Sequence, residues 1–175
     1  MVRGTRSSNP IYFDFADRLA REARARRCGL SVWRAELKRR GRRSTRNILQ
    51  LTGVVDLLLY VKIRSSPPGF WGLAKSRIAD LESSACPWAM ALLVGSTGAG
   101  YLVPSEEVAR RIQSGDWRLA SDGDYRVSEG RTLDVSLRFG SFTELAQSVF
   151  SEHMGKHGAS SASRVARPLG EQMRL

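Results

Sequence analysis

In Val54-Val55-Asp56-Leu57-Leu58-Leu59-Tyr60-Val61-Lys62-Ile63-Arg64, the residues Val55, Leu57, Leu59, Val61 and Ile63 alternate with Asp56, Leu58, Tyr60, Lys62 and Arg64. Successive strand side chains point to opposite faces, so this period of two predicts a strand over residues 54–64 with one wholly apolar face. Its other face carries an acid, a phenol and two cations. Ser65-Ser66-Pro67-Pro68-Gly69 ends the strand, because two prolines cannot donate to a ladder. Lys62 therefore belongs near a strand end, free to present its amine beside a loop.

Working C-terminally, Phe70-Trp71-Gly72-Leu73 continues the loop, and residues 74–83 read as a short helix with Ile78 and Leu81 inward. Residues 88–94 form a second apolar strand. A turn at residues 96–100 leads into a third strand at 101–103, which together predict a hairpin. Pro104-Ser105-Glu106-Glu107 opens a helix with Ser105 as N-cap and two acids against the positive end of the dipole; Gly115 closes it. Asp122-Gly123, flanked by Trp117, Leu119, Tyr125 and Val127, signals a two-residue hairpin. Ser141-Phe142-Thr143-Glu144 is a capping box for a last helix reaching about Phe150. These elements add up to one α+β domain: a basic N-terminal helix and arm at 1–50, a core at 51–150 and a loose tail at 151–175.

Charge divides the chain unevenly. Residues 1–50 hold fourteen Lys and Arg against four Asp and Glu, a net +10, whereas residues 51–150 sum to −1. Such asymmetry is the footprint of a polyanionic partner. Residues 14–27 read as a helix with Phe15, Leu19 and Ala23 on one side and Arg18, Arg21 and Arg24 on the other, a stripe able to follow phosphates or simply to face water. Lys38-Arg39-Arg40-Gly41-Arg42-Arg43 repels itself and gains little from folding alone, so a partner that neutralises it is the simplest reason to keep it. An arginine excess suits bidentate phosphate contacts.

Other classes are disfavoured. Hydrophobic residues at 42% and charged residues at 26% are globular proportions. No apolar run approaches the roughly 20 residues of a membrane helix, and the N-terminus shows no secretory signal, so a cytoplasmic protein is expected. Cys28 and Cys86 form no C-x-x-C pair and read as small hydrophobes. His153 and His157 lack the Glu of a zinc-binding H-E-x-x-H helix.

The order helix, strands, a strand carrying Val61-Lys62, a helix, then strands running into Tyr101-Leu102-Val103-Pro104-Ser105-Glu106-Glu107-Val108 resembles the PD-(D/E)XK nuclease-like superfamily, most of all its small bacterial members. Matching stretches are 60–66, 70–73 and 101–108, within about residues 52–115. The resemblance implies a mixed central sheet flanked by helices, as in restriction endonucleases. It also implies an Asp on one strand and an acid-x-Lys on its neighbour, holding a divalent metal such as Mg²⁺ for DNA hydrolysis. Lys62 falls on the Lys position, but the acid two residues earlier is Tyr60, a poor Mg²⁺ ligand at neutral pH. Asp56 is the substitute nearest in sequence, yet six strand residues separate it from Lys62 by roughly 20 Å. Glu36 is the other candidate, if residues 32–37 form a neighbouring strand.

Lys62, Asp56 and Glu36 are thus the candidate catalytic residues, the two acids also the candidate metal ligands. Arg18, Arg21, Arg24, Arg39, Arg40, Arg42, Arg43 and Arg64 are candidate phosphate contacts, with Trp71 or Trp33 stacking a base. Three functions stay open: a Mg²⁺-dependent nuclease, a non-enzymatic nucleic-acid-binding module of the same fold, and a subunit docking its basic arm on an acidic protein. DNA is favoured over RNA, and the oligomeric state is not legible.

Overall fold

The chain is represented by a computed structural model that describes residues 9–33, 47–64, 70–130 and 132–151. Helix α1 (Pro10–Ala25) starts at Asn9, whose side chain accepts from the Ile11 N–H, and Pro10 sits in the first turn where its missing N–H costs nothing. Strands β1 (Gly29–Val32), β2 (Ile48–Thr52) and β3 (Leu57–Arg64) follow as an antiparallel meander. β4 (Phe70–Ala74) and α2 (Lys75–Glu82) then form the crossover to β5 (Trp88–Val94), which runs parallel to β3. β6 (Gly100–Pro104) returns antiparallel to β5 and feeds α3 (Ser105–Gln113). β7 (Arg118–Leu119), β8 (Asp124–Ser128), a 3₁₀ turn at Val135–Leu137, β9 (Arg138–Phe139) and α4 (Phe142–Val149) complete the chain.

The main sheet has six strands in the order β1-β2-β3-β5-β6-β9, and β4-β8-β7 form a second, three-stranded sheet. The fold is α+β with a mixed central sheet flanked by helices. Alternation along β3 separates two cores. Leu57, Leu59 and Val61 pack with Phe15, Leu19 and Ala23 of α1 and Leu145 and Val149 of α4. Leu58 and Tyr60 face the opposite way, toward Trp71 and Leu73 of β4, Ile78 of α2, Val108 of α3 and Val127 of β8. Among the described helices, none is long and apolar enough to cross a membrane.

Several boundaries differ from the sequence expectations. β3 begins at Leu57 because Asp56 turns back to accept the Gly53 N–H at 3.1 Å, closing the β2–β3 turn, where Gly53 has φ +117°. Residues 70–73 are a strand, since they find a partner in β8, more than fifty residues away. Ser105 is the first helical residue of α3 and Pro104 takes the N-cap position, with no side-chain cap bond. At Asp122-Gly123 the connection is one residue longer than a two-residue loop: Ala120 pairs with Asp124, and Gly123, at φ +85°, takes the left-handed position after the turn. The α4 cap forms as expected on the Ser141 side, but Glu144 reaches the Gly140 N–H at 2.7 Å. β1 ends at Val32, and Glu36 lies outside the described residues, as do Arg39, Arg40, Arg42, Arg43, His153 and His157.

Candidate functional site

Tyr60, Lys62 and Arg64 occupy alternate positions on the β3 face that looks toward the small sheet, and each meets a different polar partner. Tyr60 is buried, and the Asn47 side chain and the Ala74 backbone near its phenol act to lower its pKa. Burial is the main cause holding that phenol above its ordinary pKa, with the charge of Asp124 adding to it. Lys62 is half-buried, with Nζ 5.9 Å from the centre of the Tyr60 ring. Burial lowers its pKa, and the Asp124 carboxylate works in the opposite sense. Arg64 is 7% exposed. Its guanidinium pairs with Glu129 and lies 4.5 Å from the centre of the Trp71 ring, while the second Glu129 oxygen accepts from the Tyr101 hydroxyl at 3.1 Å.

The carboxylate whose charge acts on Lys62 is Asp124, the first residue of β8, although the two make no ion pair among the described residues. Gly72 on β4 makes room for it, since a Cβ there would lie 2.7 Å from Asp124 Oδ2. Sequence reasoning passed over Asp124 because it follows a turn signal 62 positions beyond Lys62, and nothing local tells which strand β8 lies against. Asp56, by contrast, is spent on the Gly53 N–H at the far end of β3 and is not brought to Lys62.

The expected nucleic-acid contacts fall into two groups. Trp71 is 2% exposed, and its indole N–H donates to the Leu93 carbonyl at 3.2 Å, so neither ring face is open to a base. Arg64 is turned inward with it. Arg18, Arg21 and Arg24 are all exposed on the outer face of α1. Arg18 pairs with Asp14 at 3.0 Å and lies over the Phe142 ring, while Arg26 pairs with Glu22 at 3.4 Å. Arg21, Arg24 and Arg27 make no ion pair among the described residues.

A Mg²⁺ ion requires hard oxygen ligands, usually carboxylates, in near-octahedral array. The position two residues before Lys62 is Tyr60, and the residue just ahead of the strand beside it is Asn47, which precedes the Ile48 that pairs with Tyr60. A phenol and an amide are not the carboxylates that such a site needs. Among the described residues no group of three or more His, Cys, Asp or Glu is placed to hold a metal. The described donors do not fit Mg²⁺.

No family model matches the chain, and no curated protein matches it. Among solved structures it is similar to Hjc, a Holliday junction resolvase from the archaeal hyperthermophile Archaeoglobus fulgidus. That similarity spans 77% of this chain and 98% of the other at 16% identity, with a TM-score of 0.46. A likeness of that degree says nothing about substrate or catalysis.

Proposed function

We propose that this chain binds polynucleotides through their phosphates and does not hydrolyse them at Lys62. The observation that carries the proposal is the outer face of α1. Phe15, Leu19 and Ala23 are buried beneath the helix, which fixes Arg18, Arg21 and Arg24 outward, with Arg27 just beyond its end. Three of these four cations have no ion-pair partner among the described residues, and they belong to a segment of net +10 that includes Arg39, Arg40, Arg42 and Arg43. A DNA duplex offers one negative charge per about 1.7 Å, a density that gives such a surface its counter-charge, with release of condensed ions driving association.

Binding without cutting is supported by Tyr60, a phenol that stands two residues before Lys62 where the resemblance to the nuclease superfamily asks for an acid. One feature favours the opposite outcome, namely the charge of Asp124 acting on Lys62. A nuclease built on it would need a second carboxylate, for which Glu36 is the candidate.

The test is incubation of labelled DNA and RNA with the full chain in Mg²⁺, Mn²⁺ or EDTA, resolving both retarded complexes and cleaved strands. The expected result is retardation with intact strands under all three conditions. Metal-dependent cleavage that disappears in Lys62→Ala, with an unchanged circular dichroism spectrum, would overturn the non-hydrolytic half. It would put Asp124 and Glu36 forward as the ligands. Absence of any complex at low salt would overturn the whole.

A further inference from the structure

The small sheet lies against the face of the main sheet opposite α1, and its outer surface has an unusual make-up. The registers Phe70↔Ser128, Gly72↔Arg126 and Arg118↔Arg126 place Phe70, Gly72, Arg126 and Arg118 on one face. The alternate residues Trp71, Leu73 and Val127 go to the core. Phe70 is 49% exposed, and the Arg126 guanidinium sits 4.2 Å from the centre of its ring. Between them the space that Gly72 leaves is taken by the Asp124 carboxylate, since a Cβ at Gly72 would lie 2.7 Å from Asp124 Oδ2 and 3.6 Å from an Arg126 guanidinium nitrogen. Arg118 stands directly opposite Arg126, an arrangement of like charges that weakens a sheet unless something anionic joins it. Arg126 has Asp122 as its partner, whereas exposed Arg118 has no ion pair among the described residues.

We propose that this face binds an unpaired nucleobase, with Phe70 and the Arg126 guanidinium receiving the base by stacking and Arg118 taking the adjoining phosphate. The polynucleotide that the chain prefers is then single-stranded or carries a single-stranded segment. This inference rests on the polynucleotide reading above but uses none of the α1 arginines. Every base has a π-face, so an aromatic ring set among cations accepts bases without regard to sequence; bases inside a duplex are already stacked and cannot reach it. Two acids share this face: Asp122 is paired with Arg126, whereas the Asp124 carboxylate lies over Gly72, so the phosphate is assigned to the Arg118 side of the sheet.

The experiment measures fluorescence anisotropy of a labelled oligothymidylate and of a labelled duplex with full-length wild type, Phe70→Ala, Phe70→Leu, Phe70→Trp and Arg118→Ala. Because Phe70 is half in solvent, its replacement leaves the core untouched, and Phe70→Leu keeps its apolar bulk as a control on folding. Phe70→Ala and Phe70→Leu are expected to bind oligothymidylate about tenfold more weakly, with duplex affinity unchanged. Phe70→Trp should restore binding, and Arg118→Ala should flatten the salt dependence for the single strand. If wild type binds both nucleic acids and every Phe70 variant matches it on oligothymidylate, the platform is overturned while the polynucleotide reading stands. If wild type binds neither, both are overturned.

Discussion

Lys62 is held between two influences of opposite sign, burial lowering its pKa below the ordinary 10.5 and Asp124 raising it, with burial the larger. A lysine whose folded pKa lies below its unfolded value binds fewer protons folded than unfolded, so stability rises with pH between those two values. The difference in melting temperature between wild type and Lys62→Met should accordingly be flat near neutrality and grow in favour of wild type as pH approaches 10.5. A difference that stays flat throughout would contradict the burial argument. Arg64 makes a second prediction at this scale. Glu129→Ala removes the carboxylate from a guanidinium that is only 7% exposed. Losing one partner of a buried ion pair costs about 3–5 kcal/mol, but the Glu129 side chain is 34% exposed and partly screened. A loss of about 2–3 kcal/mol in urea unfolding is expected, with Arg64→Met costing less because it removes the buried charge and keeps much of the volume. The residue types on β3 were legible in the sequence through simple alternation. Their partners were not, since Asp124 and Glu129 lie in and just after β8, and a Trp in a Pro/Gly context gives no sign of being roofed by an arginine.

At the scale of elements, local chemistry placed most helices and the apolar strands, missed several of their boundaries, and failed where a distant partner decides. α1, α3 and α4 announce themselves by apolar spacing, though α1 starts at Pro10 and not at Asp14 and α3 is capped at Pro104 and not at Ser105, and β3 and β5 by their apolar runs. β4 does not, because five residues after Pro-Pro-Gly become a strand only against β8; β9 is two residues long and exists only against β6. β1 and β2 flank the basic arm, whose composition masks any strand pattern. The β5–β6 hairpin shows how tight one such pairing is. A Cβ at Gly100 would sit 2.2 Å from the Leu92 carbonyl oxygen and 2.9 Å from Phe139, so Gly100→Ala must push β5 and β6 apart in the middle of the main sheet. The expected cost is about 2–3 kcal/mol, in the range of overpacked cores, read as a lower urea midpoint with an unchanged slope. A variant as stable as wild type would contradict the packing described.

For the whole molecule, the basic N-terminal third is not a detachable arm. Phe15 and Leu19 of α1 and Ile48 of β2 are fully buried, so removing residues 1–50 would dismantle the sheet along with the charge. The charge must be tested by substitution on the intact chain, and α1 offers positions whose side chains point away from the core. Arg21 and Arg24 are exposed and make no ion pair among the described residues, so Arg21→Glu/Arg24→Glu reverses the helix's outer face and leaves Phe15, Leu19 and Ala23 in place. The measurement is the slope of log affinity for a labelled DNA against log salt, for wild type and this double variant. Wild type should weaken steeply with salt, and the variant should bind at least about tenfold more weakly at low salt with a slope reduced by about 2, roughly one unit for each phosphate that is no longer neutralised. Equal affinity and equal slope for the two proteins, or no wild-type binding at low salt, would contradict the claim that this helix face holds a polynucleotide.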